Sequence, residues 1–181
     1  MKKLLAVVLV LGSMAVFVGT VKAAATADLT ITVTPVGNKS VALSQASLNL
    51  GNLNLAAVDQ LSSSVTVTND GNIVEAFGLR IKTADGTWSS GAAAGANTYN
   101  LRALFDDSAV PPLAGAFLAN DDLLTQVAPV VATGVGGVYS GDQDASAVVA
   151  LATRGLWFKM DMPTSSTVSG VRTFVVEVSA N

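Results

Sequence analysis

One stretch of this chain reads Ser64-Val65-Thr66-Val67-Thr68-Asn69-Asp70-Gly71-Asn72. Val65 and Val67 alternate with threonines, which gives one apolar and one polar face at the period of a β-strand. The four residues that follow favour turns, and Asp-Gly suits positions that need a positive φ. The pattern therefore predicts a half-buried strand that ends in a turn. That turn either closes a hairpin or crosses between two sheets.

Five further segments show the same alternation of apolar and polar residues. β-branched and aromatic residues fill their apolar positions, as is usual where a pleated strand has one buried face. Six such segments predict an all-β protein whose sheets pack as a two-layer antiparallel sandwich. The further segments are residues 28–34, 77–82, 99–105, 156–162 and 173–178.

Glu75 conflicts with the alternation, because it has the same parity as the apolar residues Phe77 and Leu79. Either the strand begins after Glu75, or a bulge near Gly78 resets the register. We favour the late start.

The first 25 residues have the order of a secretory signal peptide. Lys2 and Lys3 precede an apolar run over residues 4–18, and Ala23-Ala24-Ala25 supplies the small residues that a signal peptidase requires. We therefore expect cleavage after Ala25 and a secreted domain, extracellular or periplasmic, over residues 26–181. The alternative is an uncleaved membrane anchor with Lys22 as its outer flank.

The residues after the predicted signal suit one ordinary acidic domain. Three of the ten Lys and Arg residues precede residue 26 and all thirteen acidic residues follow it, so residues 26–181 carry a formal charge of −6. An acidic domain without a basic cluster argues against nucleic acid and against anionic membrane surfaces as partners.

The residue types and motifs available for catalysis predict that the protein is not an enzyme and requires no cofactor. The chain contains neither Cys nor His, which removes thiol nucleophiles, disulfides and the commonest general base. The Gly-x-Ser-x-Gly elbow and the Walker loop are also absent. A carboxylate pair is the one remaining route to hydrolysis, and the only two glutamates, Glu75 and Glu177, lie within strand patterns.

Two weaker site hypotheses concern calcium and sugars. Asp142 and Asp144 lie in a loop-rich acidic region, and Ca²⁺ binds several oxygens at once, but solvated turn aspartates explain the same residues. Trp88 and Trp157 are candidates for stacking on a sugar ring, with Trp157 on the wetter face of its strand. The alternative is that each tryptophan covers an edge of the core.

Residues 107–146 form an irregular excursion with three prolines and five glycines. A connection of this length usually carries its own structure or a function. It is therefore either a surface for a partner or a poorly ordered insertion.

Ser47-Leu48-Asn49-Leu50-Gly51, followed by residues 65–72, resembles exported bacterial immunoglobulin-like domains. In these, a Leu-x-Leu/Phe-Gly strand precedes a Val-Thr-Val-Thr-Asn-x-Gly-Asn segment, and residues 156–163 and 173–178 look like their closing strands. The resemblance implies a single immunoglobulin-like or jelly-roll-like antiparallel β-sandwich. A weaker similarity is to secreted fibre subunits of the camelysin and TasA type, in which a Thr-rich strand directly follows the signal peptide, as residues 28–34 do here.

These observations favour a non-enzymatic structural protein of the cell surface or extracellular matrix. A fibre subunit would assemble through its N-terminal strand, with Leu29, Ile31 and Val33 as the inserting side chains. The partner is then another copy or another envelope protein, with no membrane contact after signal removal. The alternative is a binding module of the cell envelope for a glycan or a protein, using Trp88, Trp157 or residues 107–146.

Overall fold

The computed structural model describes residues 26, 28–106, 110–134, 136–139 and 145–181. The predicted signal peptide and the predicted calcium ligands Asp142 and Asp144 lie outside these residues. The chain divides into two compact units, Met1–Pro35 and Val36–Asn181.

The described part of the second unit consists of nine strands and two single-turn 3-10 helices, η1 and η2. The prediction of an all-β fold is therefore confirmed. The elements, in chain order, are β1 (Val41–Leu43), β2 (Gln60–Leu61), β3 (Val65–Asn69), β4 (Phe77–Thr83), β5 (Ser89–Ser90), β6 (Thr98–Asp106), η1 (Ala114–Ala116), η2 (Ala119–Asp121), β7 (Val130–Val131), β8 (Thr153–Asp161) and β9 (Val175–Ala180).

Two sheets pack as a β-sandwich. The larger sheet has the order β1-β3-β8-β6-β5, with β2 also paired to β8, and the smaller sheet has the order β7-β4-β9. The named strands pair antiparallel except for the short β5–β6 contact, which is parallel. Because β3 belongs to the larger sheet and β4 to the smaller one, the turn after β3 crosses between the sheets. It does not close a hairpin.

The predicted apolar faces form the core between the sheets. Phe77 on β4 meets Phe105 on β6 with ring centroids 5.8 Å apart, which joins the two layers. Side chains of this size stabilise a fold by about 1.5–3 kcal/mol each when fully buried. The largest fully buried apolar and aromatic side chains are Tyr99, Tyr139, Phe77, Phe105, Leu79, Ile81, Leu101, Leu104, Leu123, Leu156 and Val67.

Strand β4 begins at Phe77, as the late-start interpretation requires, and yet Glu75 is only 1% exposed. Its backbone forms an isolated antiparallel bridge with Val148. Its side-chain Oε1 accepts a hydrogen bond from the N–H of Ser40 at 2.7 Å. Gly71 is pressed against this carboxylate, because a Cβ there would come within 2.3 Å of Oε1. The Asp-Gly pair therefore serves a close approach as well as a turn.

Several described residues within 107–146 pack against the sandwich, which favours a structured excursion over a poorly ordered insertion. Phe117 is buried with Leu104 and Trp157 in a small cluster of its own. Leu123 and Ala132 join the main core, and β7 adds an edge strand to β4. A role of this segment in contacting a partner stays a prediction.

Two predicted strands are not formed. Residues 47–51 carry no strand, although Leu48 and Leu50 pack against the core. Residues 28–34 carry none either, and we call residues 28–35 the arm. Alternation supplies an apolar face, but a strand also needs a neighbour that satisfies its backbone N–H and C=O groups.

Candidate assembly site

The arm exposes three large apolar side chains at strand spacing. Leu29, Ile31 and Val33 are 85%, 77% and 73% exposed. Threonines separate them, and no charged residue follows Asp28 within the arm. Such a segment has the composition of a strand that pairs with a free sheet edge.

The residues that follow the arm are held firmly by the turn after β3. Asn72 accepts a hydrogen bond from the N–H of Asn38 at 2.6 Å and donates from Nδ2 to the carbonyl of Val36 at 3.0 Å. Asp70 N–H donates to the Ser40 carbonyl at 2.9 Å. We call residues 36–40 the root.

A groove of about 300 Å³ opens on one side of the sandwich, between β9 and the segment from β1 to residue 50. Its lining contains no charged residue, and most of the lining is apolar. The lining residues are Leu43, Gln45, Ala46, Ser47, Leu48, Leu50, Val65, Leu101, Leu156, Phe158, Thr173, Phe174, Val175, Val176 and Val178.

Both strands beside the groove are sheet edges. Within the described residues β1 pairs only with β3, and β9 pairs only with β4. In an antiparallel pair, alternate backbone N–H and C=O groups of an edge strand point away from the neighbour and stay available for another strand. The groove therefore combines apolar walls with an unpaired backbone.

The two tryptophans are buried, at 7% exposure for Trp88 and 5% for Trp157. Trp157 lies on the face of β8 away from the main core, as its parity predicts, but that face is not wet at Trp157 because Phe117 packs against it. Trp88 donates from Nε1 to the hydroxyl of Ser166 at 2.9 Å. Neither residue offers a fully exposed ring face for stacking on a sugar.

The arginine and lysine side chains of the sandwich hold several of its carboxylates in ion pairs. Arg80 and Lys82 contact Glu177 at 2.7 and 3.1 Å, and their hydrogen bonds hold the pKa of Glu177 below its ordinary value. Arg102 contacts Asp122 at 2.8 Å, and Arg172 contacts Asp85 at 3.2 Å. Among the described residues, no three acidic side chains gather closely enough to hold a metal ion. The calcium hypothesis at Asp142 and Asp144 stays a prediction.

Asp121 is a buried carboxylate whose hydrogen bond comes from a backbone N–H instead of a basic side chain. Asp121 is fully buried at the end of η2, and burial raises its pKa to about 6. Its Oδ2 accepts a hydrogen bond from the N–H of Leu118 at 2.8 Å, while Oδ1 has no hydrogen-bond partner. The sequence did not single out Asp121, because nothing in its neighbourhood distinguishes it from a solvated turn aspartate.

Comparison with known proteins finds no matching family model, and no curated protein or solved structure with significant similarity. No helix in the described part of the chain has the length and hydrophobicity that a membrane crossing needs. Proposals about function therefore depend on the residues themselves.

Proposed function

We propose that this protein is an exported, non-enzymatic structural subunit that self-assembles through its arm at the cell surface or in the extracellular matrix. The observation that carries the proposal is the exposure of Leu29, Ile31 and Val33 at strand spacing, beside a domain with free sheet edges. The acidic charge and the absence of His and Cys favour a structural role over catalysis.

Burial of the arm supplies the driving force for assembly. Fully burying a Leu, Ile or Val side chain is worth about 1.5–3 kcal/mol. Adding the arm to a sheet edge also pairs backbone groups on both sides, which is the usual mode of strand addition. The threonines between the apolar residues favour an extended strand once a neighbour is present.

The proposal is tested on residues 26–181 by light scattering and electron microscopy across a concentration series. We expect oligomers or fibres that grow with concentration. Ile31→Asp should leave only monomer, because it places a charge among the inserting side chains. Thr32→Asp is the matched control, since it adds the same charge on the opposite face and should still assemble. Monomer at every concentration for the unchanged protein would refute self-assembly.

The second candidate is a binding module for a glycan or another envelope protein. An open cavity of about 560 Å³ beside Trp88 favours it, because hydroxyl and amide side chains of Thr87, Ser89, Ser90, Thr125 and Gln126 line it. A strictly monomeric protein that binds glycans on an array, and loses binding in Ser90→Tyr, would support this candidate over the structural subunit.

A further inference from the structure

We infer that the groove accepts the arm of a second copy of this chain, and that the incoming strand pairs antiparallel with β9. This inference rests on the proposed function, because it names the acceptor that self-assembly through the arm requires. The described sandwich itself supplies the argument.

The groove is a place where the core is incompletely closed. Its floor comes from the larger sheet, where Val65, Leu101 and Leu156 are buried. Its walls contain large apolar side chains that are only partly buried although they pack against the core: Leu48, Leu50, Phe174, Val176 and Val178. An occupant that closes this gap must therefore present apolar side chains at the spacing of these walls.

The arm matches this requirement in length, spacing and charge. Residues 28–34 span about 23 Å as a strand and β9 spans about 20 Å, at roughly 3.3 Å per residue. The arm carries a large apolar residue at every second position, and Phe174, Val176 and Val178 repeat this spacing on the groove side. Neither the groove lining nor residues 29–34 carry a charge, so no ion is desolvated on insertion.

Strand β9 is a better acceptor edge than β1. On the β9 side, five residues line the groove, whereas β1 has three residues and contributes only Leu43. The five are Val175, Val176 and Val178 of β9 and the preceding Thr173 and Phe174. Glu177 points to the other face, where it pairs with Arg80 and Lys82. A strand added to β9 therefore turns one face to the groove and the other to the side of Glu177.

This geometry fixes a register. Directly opposed residues of two paired strands face the same side of a sheet. An antiparallel arm with Leu29 opposite Val178, Ile31 opposite Val176 and Val33 opposite Phe174 places all three apolar side chains against groove residues. Thr32 then lies opposite Val175, which has the same parity as Glu177 and is 47% exposed at the rim of the groove. We choose the antiparallel direction because β9 is already antiparallel to β4, and antiparallel pairing is the more stable kind.

Disulfide crosslinking tests the register cleanly, since the chain contains no cysteine of its own. Two single-cysteine proteins over residues 26–181, Thr32→Cys and Val175→Cys, carry tags of different mass and are mixed under mild oxidation. Both positions lie outside the core, so folding is preserved. We expect a mixed dimer on a non-reducing gel at several times the yield given by Thr32→Cys with Val149→Cys, an exposed position away from the groove.

A parallel arm would be reported by a different pair of cysteines. A parallel arm that seats the same three side chains places Thr30, instead of Thr32, opposite Val175. A higher yield from Thr30→Cys with Val175→Cys would overturn the antiparallel register. A double variant, Thr32→Cys with Val175→Cys, that closes within a single monomer would overturn the second copy as occupant.

A peptide experiment separates failure of the groove from failure of the proposed function. Among the described residues, every member of the main core lies within residues 36–181, so we expect this domain to fold without the arm, which its own melting transition checks before the peptide is added. A synthetic peptide of residues 28–34 should raise its Tm in a concentration-dependent way, and the same peptide with Ile31→Asp should not. If the intact protein assembles but the peptide and the crosslinks fail, the groove is overturned and self-assembly stands. If the peptide binds but the intact protein never assembles, the proposed function fails and the groove stands.

Discussion

The carboxylate of Glu75 accepts a hydrogen bond from the backbone N–H of Ser40 at 2.7 Å, across 35 residues of sequence. This contact ties the root to the segment that crosses between the sheets. Together with the Asn72 hydrogen bonds, it holds the root against the turn after β3.

Removing the Glu75 carboxylate should therefore weaken the fold at the root. Glu75→Ala leaves the Ser40 N–H without its acceptor and opens space in a buried site, and we expect a loss of about 1–3 kcal/mol in the free energy of unfolding. Glu75→Gln keeps an oxygen for Ser40 and should cost less. Urea denaturation of residues 26–181 measures both. Equal losses for the two variants would mean that the hydrogen bond does not stabilise the root.

The pH dependence of stability should carry the signature of Asp121. Burial raises its folded pKa to about 6 from an ordinary value of 3.8, so ionisation above that range opposes folding. Stability should therefore fall as pH rises from about 4 to 6 and stay lower above. Asp121→Asn keeps an acceptor for Leu118 and removes the charge.

We expect Asp121→Asn to stabilise the protein at pH 8 by on the order of 1–2 kcal/mol and to have little effect at pH 4. Thermal unfolding at both pH values measures the difference. Asp122→Asn is the control, because its carboxylate accepts hydrogen bonds from Arg102 and Asn100. It should lower Tm at pH 8. A lower Tm for Asp121→Asn at pH 8 would contradict the buried, unfavourable charge.

Glu177 should show the opposite pH dependence. Hydrogen bonds from Arg80 and Lys82 lower its folded pKa, so its ion pairs stabilise the fold above about pH 4.5, the ordinary pKa, and this contribution is lost as pH falls through the folded pKa. The Tm difference between the unchanged protein and Glu177→Gln should be small at pH 7, shrink toward pH 3, and shrink with added salt. A difference that grows in acid would be inconsistent with a stabilising carboxylate.

The sequence predicted the long strands because their alternation is a local property. Strands β3, β4, β6, β8 and β9 lie where the alternation placed them. The short strands β1, β2, β5 and β7 have two or three residues, and each exists through pairing with a longer neighbour. Periodicity over so few residues carries no signal.

The groove and the arm show a second limit of local patterns. Residues 28–34 alternate as regularly as β3, yet only β3 has partners on both sides. Alternation in Phe174, Val176 and Val178 indicates an apolar face, but only the packing of the two sheets reveals that this face is partly uncovered. Likewise, the alternation correctly predicted that Trp157 lies on the face of β8 away from the core. It gave no sign that Phe117, from residues 107–146, packs against that face.

That excursion should be tested through its contact with Trp157. Among the buried residues that the structure describes, Phe117 clusters with Leu104 and Trp157, on the face of β8 away from the main core. Phe117→Ala should expose the indole and shift its fluorescence to the red. It should cost up to about 3–5 kcal/mol, the usual range for a buried Phe→Ala change. Trp88→Phe in the background leaves Trp157 as the single reporter, and Leu113→Ala, at an exposed site nearby, is the matched control that should change neither readout. An unchanged spectrum in Phe117→Ala would mean that residues 113–121 do not cover the larger sheet in solution.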